Sequence, residues 1–389
     1  MGIQFLRACL SDSLKMIKIK LLENDTLRKD LEKIHWDWFS ERAKTTCSWD
    51  KSLTYKDFIK NNIIYATATE LNGLTNSQKD DLFDRRLQEL IVGPDDIKQK
   101  GLNFFYRWII LNGKMQKYPK QKGVALLQDQ EDYNKKIDHL KIAFGYDDFC
   151  TPKESRGWYK EFKQKYKCDW SAEIFCDKLN IDVCPYCNRE YTFLAELFNG
   201  LRKRLSEIDH FFPQSIYPYF SCYLYNFIPS CLLCNHGKKE KVKGIVYPYE
   251  NEFGNRAKFN VKLKNGGTIS LPCDTNDVQV QLKLKGSRFV RRKIQKSDKM
   301  FCISAIYNEH KTEINDLLRR YYHYGANKSK DLYRLFNFGG IVQNGEIPKY
   351  FRDILLGIPL DVGEKQYPLR KFKEDVIEQF DETYKEMKK

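Results

Sequence analysis

No stretch of the 389 residues approaches the roughly 20 consecutive apolar residues that a membrane-spanning helix needs. The opening Met1-Gly2-Ile3-Gln4-Phe5-Leu6 lacks the Ser or Thr of a myristoylation signal. The residues after it lack a secretory core and a cleavage site. Internal repeats and low-complexity tracts are missing as well. The missing membrane, lipidation and secretion signals lead to the expectation of a cytoplasmic protein. Met16-Ile17-Lys18-Ile19-Lys20 itself reads like a start, which leaves residues 1–15 as an extension expected to be dispensable. Acidic residues are in deficit, with 52 against 67 Lys and Arg, a net charge of +15 and a pI near 9.1. The excess favours a polyanionic partner, and the lack of a basic interfacial helix favours nucleic acid over a membrane surface.

Twelve cysteines are present, yet a chain of this size can bury a core without a disulfide framework. Eight are scattered: Cys9, Cys47, Cys150, Cys168, Cys176, Cys222, Cys273 and Cys302. They are expected to act as small apolar residues. The other four form two pairs, Cys184-Pro185-Tyr186-Cys187 and Cys231-Leu232-Leu233-Cys234. Two such turns supply four thiolates, the tetrahedral set of a closed structural zinc site. The Cys-Pro-Tyr-Cys turn alone also suits a dithiol redox site, but no βαβ pattern surrounds it, and a second pair comes after residues 188–230. A zinc deaminase is excluded because its His-x-Glu and Pro-Cys-x-x-Cys are missing.

A closed zinc has no open coordination position, so any chemistry falls to neighbouring residues: Asp209, His210 and Asn235. Phosphodiester hydrolysis needs a deprotonated water, relief of charge on the phosphoryl oxygens and stabilisation of the leaving oxygen. The imidazole of His210 titrates near neutrality and suits the first task. A hard cation, Mg²⁺ or Mn²⁺, suits the other two, with Asp209 and the amide oxygen of Asn235 as ligands. Successive strand residues face opposite ways, so a regular strand cannot aim Asp209 and His210 at one phosphate.

The Asp209-His210 pair, the Asn226-Phe227 pair and the run Cys231 to Lys238 together resemble the signature of an HNH (ββα-metal) endonuclease pinned by a Cys₄ zinc. The similarity covers roughly residues 176–256, weakens towards the C-terminus and is nearly lost before residue 140. It implies a strand distorted at Asp209-His210, Asn226 ordering the loop between two strands, and DNA as substrate. Lys238 and Lys239 would contact phosphate. Some relatives, the Septu-type nucleases among them, work in anti-phage defence beside an ATPase, so the resemblance also implies such a partner. A zinc ribbon that only binds nucleic acid is the rival reading. It accounts for the cysteines and the charge, but not for Asp209-His210 and Asn235.

The expected fold is α+β. A mainly helical region spans residues 1–145, with helices over Leu27–Arg42 (Asp25 or Thr26 as cap), Tyr55–Ile64, Gln78–Ile91 and Leu102–Leu111. All six tryptophans precede the zinc motif and are expected in the core. Lys114–Lys122 reads as a solvated basic loop. Residues 146–256 hold the nuclease module, with short helices over Trp158–Tyr166 and Ser171–Leu179 and a strand at Ile181–Val183. In residues 257–389, period-two apolar residues from Phe259 to Leu284 predict a small antiparallel sheet with a turn at Asn265-Gly266-Gly267. The basic run Lys283–Lys296, with Arg291 and Arg292, is the other candidate nucleic-acid contact, and helices are expected over Leu317–Tyr324, Lys330–Phe336, Ile347–Leu356 and Lys371–Lys388.

Overall fold

The computed structural model describes residues 18–113, 124–198, 202–237, 244–266, 277–325, 328, 349–358 and 367–387. The expectations for residues 1–15, the Lys114–Lys122 loop, Lys238 and Lys239, Ile269–Leu271 and Lys330–Phe336 lie outside the described residues. Within them, helices combine with three two-stranded antiparallel sheets, an α+β arrangement.

The first half is helical: α1 (Asp25–Ala43), α2 (Tyr55–Asn62), α3 (Ala68–Leu71), α4 (Asn76–Val92), α5 (Ile97–Lys100), α6 (Leu102–Asn112) and α7 (Val124–Phe144). Three of these begin with a reciprocal capping box, Thr54 with Asp57, Thr67 with Glu70 and Thr75 with Gln78. Each box satisfies two backbone N–H groups that the helix cannot pair itself. The cap of α1 is Asn24, not Asp25 or Thr26: its side chain accepts from the Leu27 N–H at 3.0 Å. Asn24 is extended, the conformation a cap needs, and the helix starts at Asp25, two residues upstream of the expected Leu27. Trp38, Trp108 and Trp170 are fully buried, and Trp36, Trp49 and Trp158 pack against the same core.

Three short helices come next, α8 (Tyr146–Cys150), α9 (Gly157–Tyr166) and α10 (Ala172–Leu179). The strand expected at Ile181–Val183 is a single bridge, Val183 to Tyr191. Strands β1 (Leu194–Glu196) and β2 (Arg202–Arg204) form a hairpin. Strands β3 (Glu207–His210) and β4 (Phe227–Ser230) pair antiparallel, and α11 (Leu232–Gly237) begins at once after them. Beyond lie β5 (Ala257–Leu263) and β6 (Val278–Leu284), whose alternating Phe259, Val261, Val278 and Val280 are buried on one face. The helices α12 (Arg288–Phe301), α13 (Ile303–Tyr307), α14 (Lys311–Tyr324), α15 (Lys349–Leu356) and α16 (Arg370–Met387) complete the order. The edge of β5 is covered by α16: Asp375 accepts from the Phe259 N–H at 2.8 Å, and Gln379, one turn on, bonds both backbone groups of Val261. A sheet edge left bare would be a template for other chains.

The β3–β4 connection is held from both sides. From the N-terminal helices, His35 donates from Nε2 to the Cys222 carbonyl at 2.9 Å, and the Tyr225 hydroxyl reaches Glu32 at 2.5 Å. From the C-terminal side, the Tyr247 and Tyr249 hydroxyls donate to the carbonyls of Tyr225 and Phe227.

Candidate functional site

The four paired cysteines converge. Cys184, Cys187, Cys231 and Cys234 are buried, and their sulfurs all lie within 4.8 Å of one another. The Cys187 and Cys231 sulfurs are 3.8 Å apart. Four sulfurs at the usual zinc–sulfur distance of about 2.3 Å around a tetrahedral centre stand about 3.8 Å apart. A disulfide needs about 2.0 Å, so these are free thiols spaced for a metal. Burial pushes the Cys184 thiol well up, while the hydrogen bond from Cys184 pulls Cys231 down. Four buried thiols at this spacing are a donor set that a metal ion can bind as thiolates. No other group of three or more metal-binding side chains was found among the described residues.

The rest of the chain grips this cluster. The Tyr307 hydroxyl donates to the Cys187 carbonyl at 2.8 Å, and the Leu369 N–H donates to the Asn188 carbonyl. Phe301, at the end of α12, stacks on Tyr186 with ring centroids 4.3 Å apart. The Tyr186 hydroxyl in turn donates to Asp209 at 2.7 Å. A continuous line of contacts therefore runs from the basic helix, through the first cysteine turn, to β3.

Asp209 and His210 sit on opposite faces of β3. Register is regular to the strand end, with Asp209 opposite Ile228 and His210 opposite Phe227, and the ladder continues from Phe211 N–H to the Asn226 carbonyl. The distortion implied by the resemblance is thus missing, because every residue of β3 has its partner on β4 and none is left over to form a bulge. Asp209 is 3% exposed and His210 8%. The His210 ring lies edge-on to Tyr146 at 4.3 Å and to Phe227 at 5.5 Å. Its Nε2 is 2.9 Å from the Ser221 carbonyl. A carbonyl only accepts, so Nε2 carries the proton of that bond.

Asn226 is buried, and its amide uses both ends on the loop it closes. Its oxygen accepts from the Phe212 N–H at 2.7 Å, and its nitrogen donates to the Phe212 and Phe220 carbonyls, both at 3.0 Å. Those bonds fix the loop that also presents the Ser221 carbonyl to His210. Asn235, on α11, donates its amide N–H to Glu207. His236 Nε2 lies 3.1 Å from the same carboxylate and is 68% exposed.

Glu207 is the residue that sequence reading missed. It stands two positions before Asp209, so period-two alternation puts both carboxylates on one face of β3, the face that meets α11. The signal was available in Glu207-Ile208-Asp209. With its N–H₂ group held by Glu207, the Asn235 amide has its oxygen directed away from that carboxylate. The structure joins Asn235, His236 and Glu207, joins Asp209 to the first cysteine turn, and sets His210 apart on the other face.

On α12, Ile294, Ser297 and Phe301 are buried while Arg288, Arg291 and Arg292 are exposed, with no ion pair to them among the described residues. The Ser287 side chain caps the helix. The helix also packs beside α11. No protein-family model matches the chain, and no curated protein or solved structure matches it. No helix among the described residues is long and apolar enough to cross a membrane.

Proposed function

We propose that the chain is a divalent-metal-dependent HNH endonuclease that hydrolyses phosphodiester bonds in DNA, with a structural zinc on Cys184, Cys187, Cys231 and Cys234. The observation that carries this reading is the succession β3–β4–α11. Asp209-His210 end its first strand, Asn226 ties its loop, and its helix bears Asn235 and is closed onto the strands by the four cysteines. Chance does not readily supply an Asp-His, an ordering Asn and a helical Asn within one metal-pinned unit.

His210 is the general base in this reading, taking a water proton on Nδ1 while the Ser221 carbonyl holds its Nε2–H. Because Asp209 and His210 leave opposite faces of a regular strand, the reading requires the end of β3 to open before both act on one phosphate. Asp209 and Asn235, with Glu207 beside them, are the oxygen ligands for Mg²⁺ or Mn²⁺. Such a cation, when bound, neutralises charge on the phosphoryl group and steadies the leaving oxygen. Arg291 and Arg292 on α12, with Lys238 and Lys239, neutralise phosphates along the bound strand. The ATPase partner and the role in anti-phage defence come with the resemblance alone.

A zinc-ribbon module that binds nucleic acid without cutting it is favoured by one observation. Asp209 and His210 are both buried and engaged by Tyr186 and by the Ser221 carbonyl. Incubation of the purified chain with supercoiled plasmid and Mg²⁺ or Mn²⁺ separates the two readings. Nicked or linear product that disappears in His210→Ala supports the nuclease, and binding without any product supports the module.

A further inference from the structure

The hairpin just beyond the first cysteine turn has two unlike faces. The register pairs Leu194 with Arg204 and Ala195 with Lys203. On the inner face, Thr192 is buried and bonds the Ile181 carbonyl, Leu194 packs on the core, and Arg204 bonds Glu173 of α10 at 2.9 Å. Alternation places Tyr191, Phe193, Ala195 and Leu197 on the other face, with Lys203 and Leu205 beside them. There Tyr191 is 45% exposed, Phe193 36%, Leu197 43% and Leu205 50%, and Lys203 is exposed too. The Tyr191 and Phe193 rings meet at 5.1 Å. Scattered exposed apolar residues need no explanation, but a contiguous strip on one sheet face marks a contact surface.

Charge chooses the occupant. The strip carries a lysine and no acid, and Lys203 forms no ion pair among the described residues. The chain as a whole is at +15. Two neighbouring aromatic rings beside a cation form a stacking platform for bases. The platform is also rigid relative to the metal cluster, because the Cys184 N–H donates to the Glu190 carbonyl and Val183 bridges Tyr191. Bases can stack there only if they are unpaired.

We propose that the outer face of this hairpin, through Tyr191, Phe193 and Lys203, binds unpaired bases of single-stranded nucleic acid. The proposal rests on the reading of the chain as one that acts on nucleic acid, and it names the form of substrate presented to that site.

Fluorescence anisotropy of the full chain tests it, without added divalent metal, on a labelled oligothymidine of about 20 nucleotides and on a duplex of equal length. Tyr191→Ala/Phe193→Ala should bind the single strand roughly tenfold or more weakly than wild type, with the duplex changed far less. The swap Tyr191→Phe/Phe193→Tyr, which keeps both rings, should bind as wild type, and unchanged zinc content and circular dichroism check the fold. Equal single-strand affinity in the alanine variant overturns the inference, as does an equal loss on both substrates. So does a wild type that self-associates through this face while the alanine variant is monomeric with unaltered affinity. In these cases plasmid cleavage still decides the nuclease reading separately. A wild type that binds neither substrate overturns the inference too, and plasmid cleavage with Mg²⁺ or Mn²⁺ again decides the nuclease reading.

Discussion

The Tyr186 hydroxyl donates to the Asp209 carboxylate across 2.7 Å, inside the protein, between the two cysteines of the first turn and the strand that bears the candidate base. Cysteine cluster and candidate catalytic strand are therefore one structural unit, and disturbing one side disturbs the other. Tyr186→Phe keeps the ring that stacks on Phe301 but leaves Asp209 short of a donor. Removing one partner of a buried hydrogen bond costs about 1–3 kcal/mol. Chemical denaturation should show a loss of that size with zinc content unchanged. A variant as stable as wild type would mean that the bond contributes nothing.

Cys231→Ser should lose the metal and with it much of the fold. Zinc binding supplies folding free energy on the order of 10 kcal/mol in small Cys-rich sites. Elemental analysis should find one zinc per wild-type chain and far less in the variant, which is expected to be insoluble or partly unfolded. A soluble, zinc-free, well-folded Cys231→Ser protein would remove the cluster from the account.

His35 gives a pH dependence that can be assigned. It is fully buried, donates from Nε2 to Cys222 and accepts at Nδ1 from the Trp170 indole N–H at 3.0 Å. Burial pulls its pKa from the usual 6.5 down to about 4. The unfolded chain therefore binds this proton more readily than the folded one between those values, and stability falls as pH drops through that window. The two pKa values correspond to about 3 kcal/mol. Urea titrations at pH 7 and pH 4.5 should show a larger loss for wild type than for His35→Gln. Equal losses in the two proteins would trace acid sensitivity to other groups.

Reversal of Arg291 and Arg292 to Glu should weaken binding to every nucleic-acid sequence and flatten the dependence of affinity on salt, because each phosphate contact releases a counterion. Both side chains are exposed on α12, whose buried face is unaffected, so the fold should persist. Unchanged affinity with an unchanged salt slope would make that face merely solvated.

Spacing was legible in the sequence: the cysteine pairs meet, and the helices over 25–43, 55–62, 76–92 and 102–112 fall within a few residues of their expected ends. Alternation was legible too, in the buried Phe259, Val261, Val278 and Val280 of the β5–β6 pair. Direction was not. That Asp209 turns to Tyr186, His210 to Ser221 and Asn235 to Glu207 depends on residues far apart in the chain, which no local pattern records. The β1–β2 hairpin went unread for a related reason. Its apolar strip is exposed, whereas a period-two pattern is ordinarily taken to mark burial, and Arg202-Lys203-Arg204 breaks it on the second strand.

The most direct test of the central claim compares His210→Ala with Asn235→Ala in plasmid cleavage, each in Mg²⁺ and in Mn²⁺. Loss of a general base costs roughly 10²–10⁴-fold in rate, and no added metal replaces it, so His210→Ala should stay that slow in both metals with zinc and DNA binding intact. Asn235→Ala weakens cation binding and should recover partly at high Mn²⁺, which accepts less regular ligand sets. His210→Ala recovering in Mn²⁺ as well as Asn235→Ala does, or losing its zinc, would contradict the account.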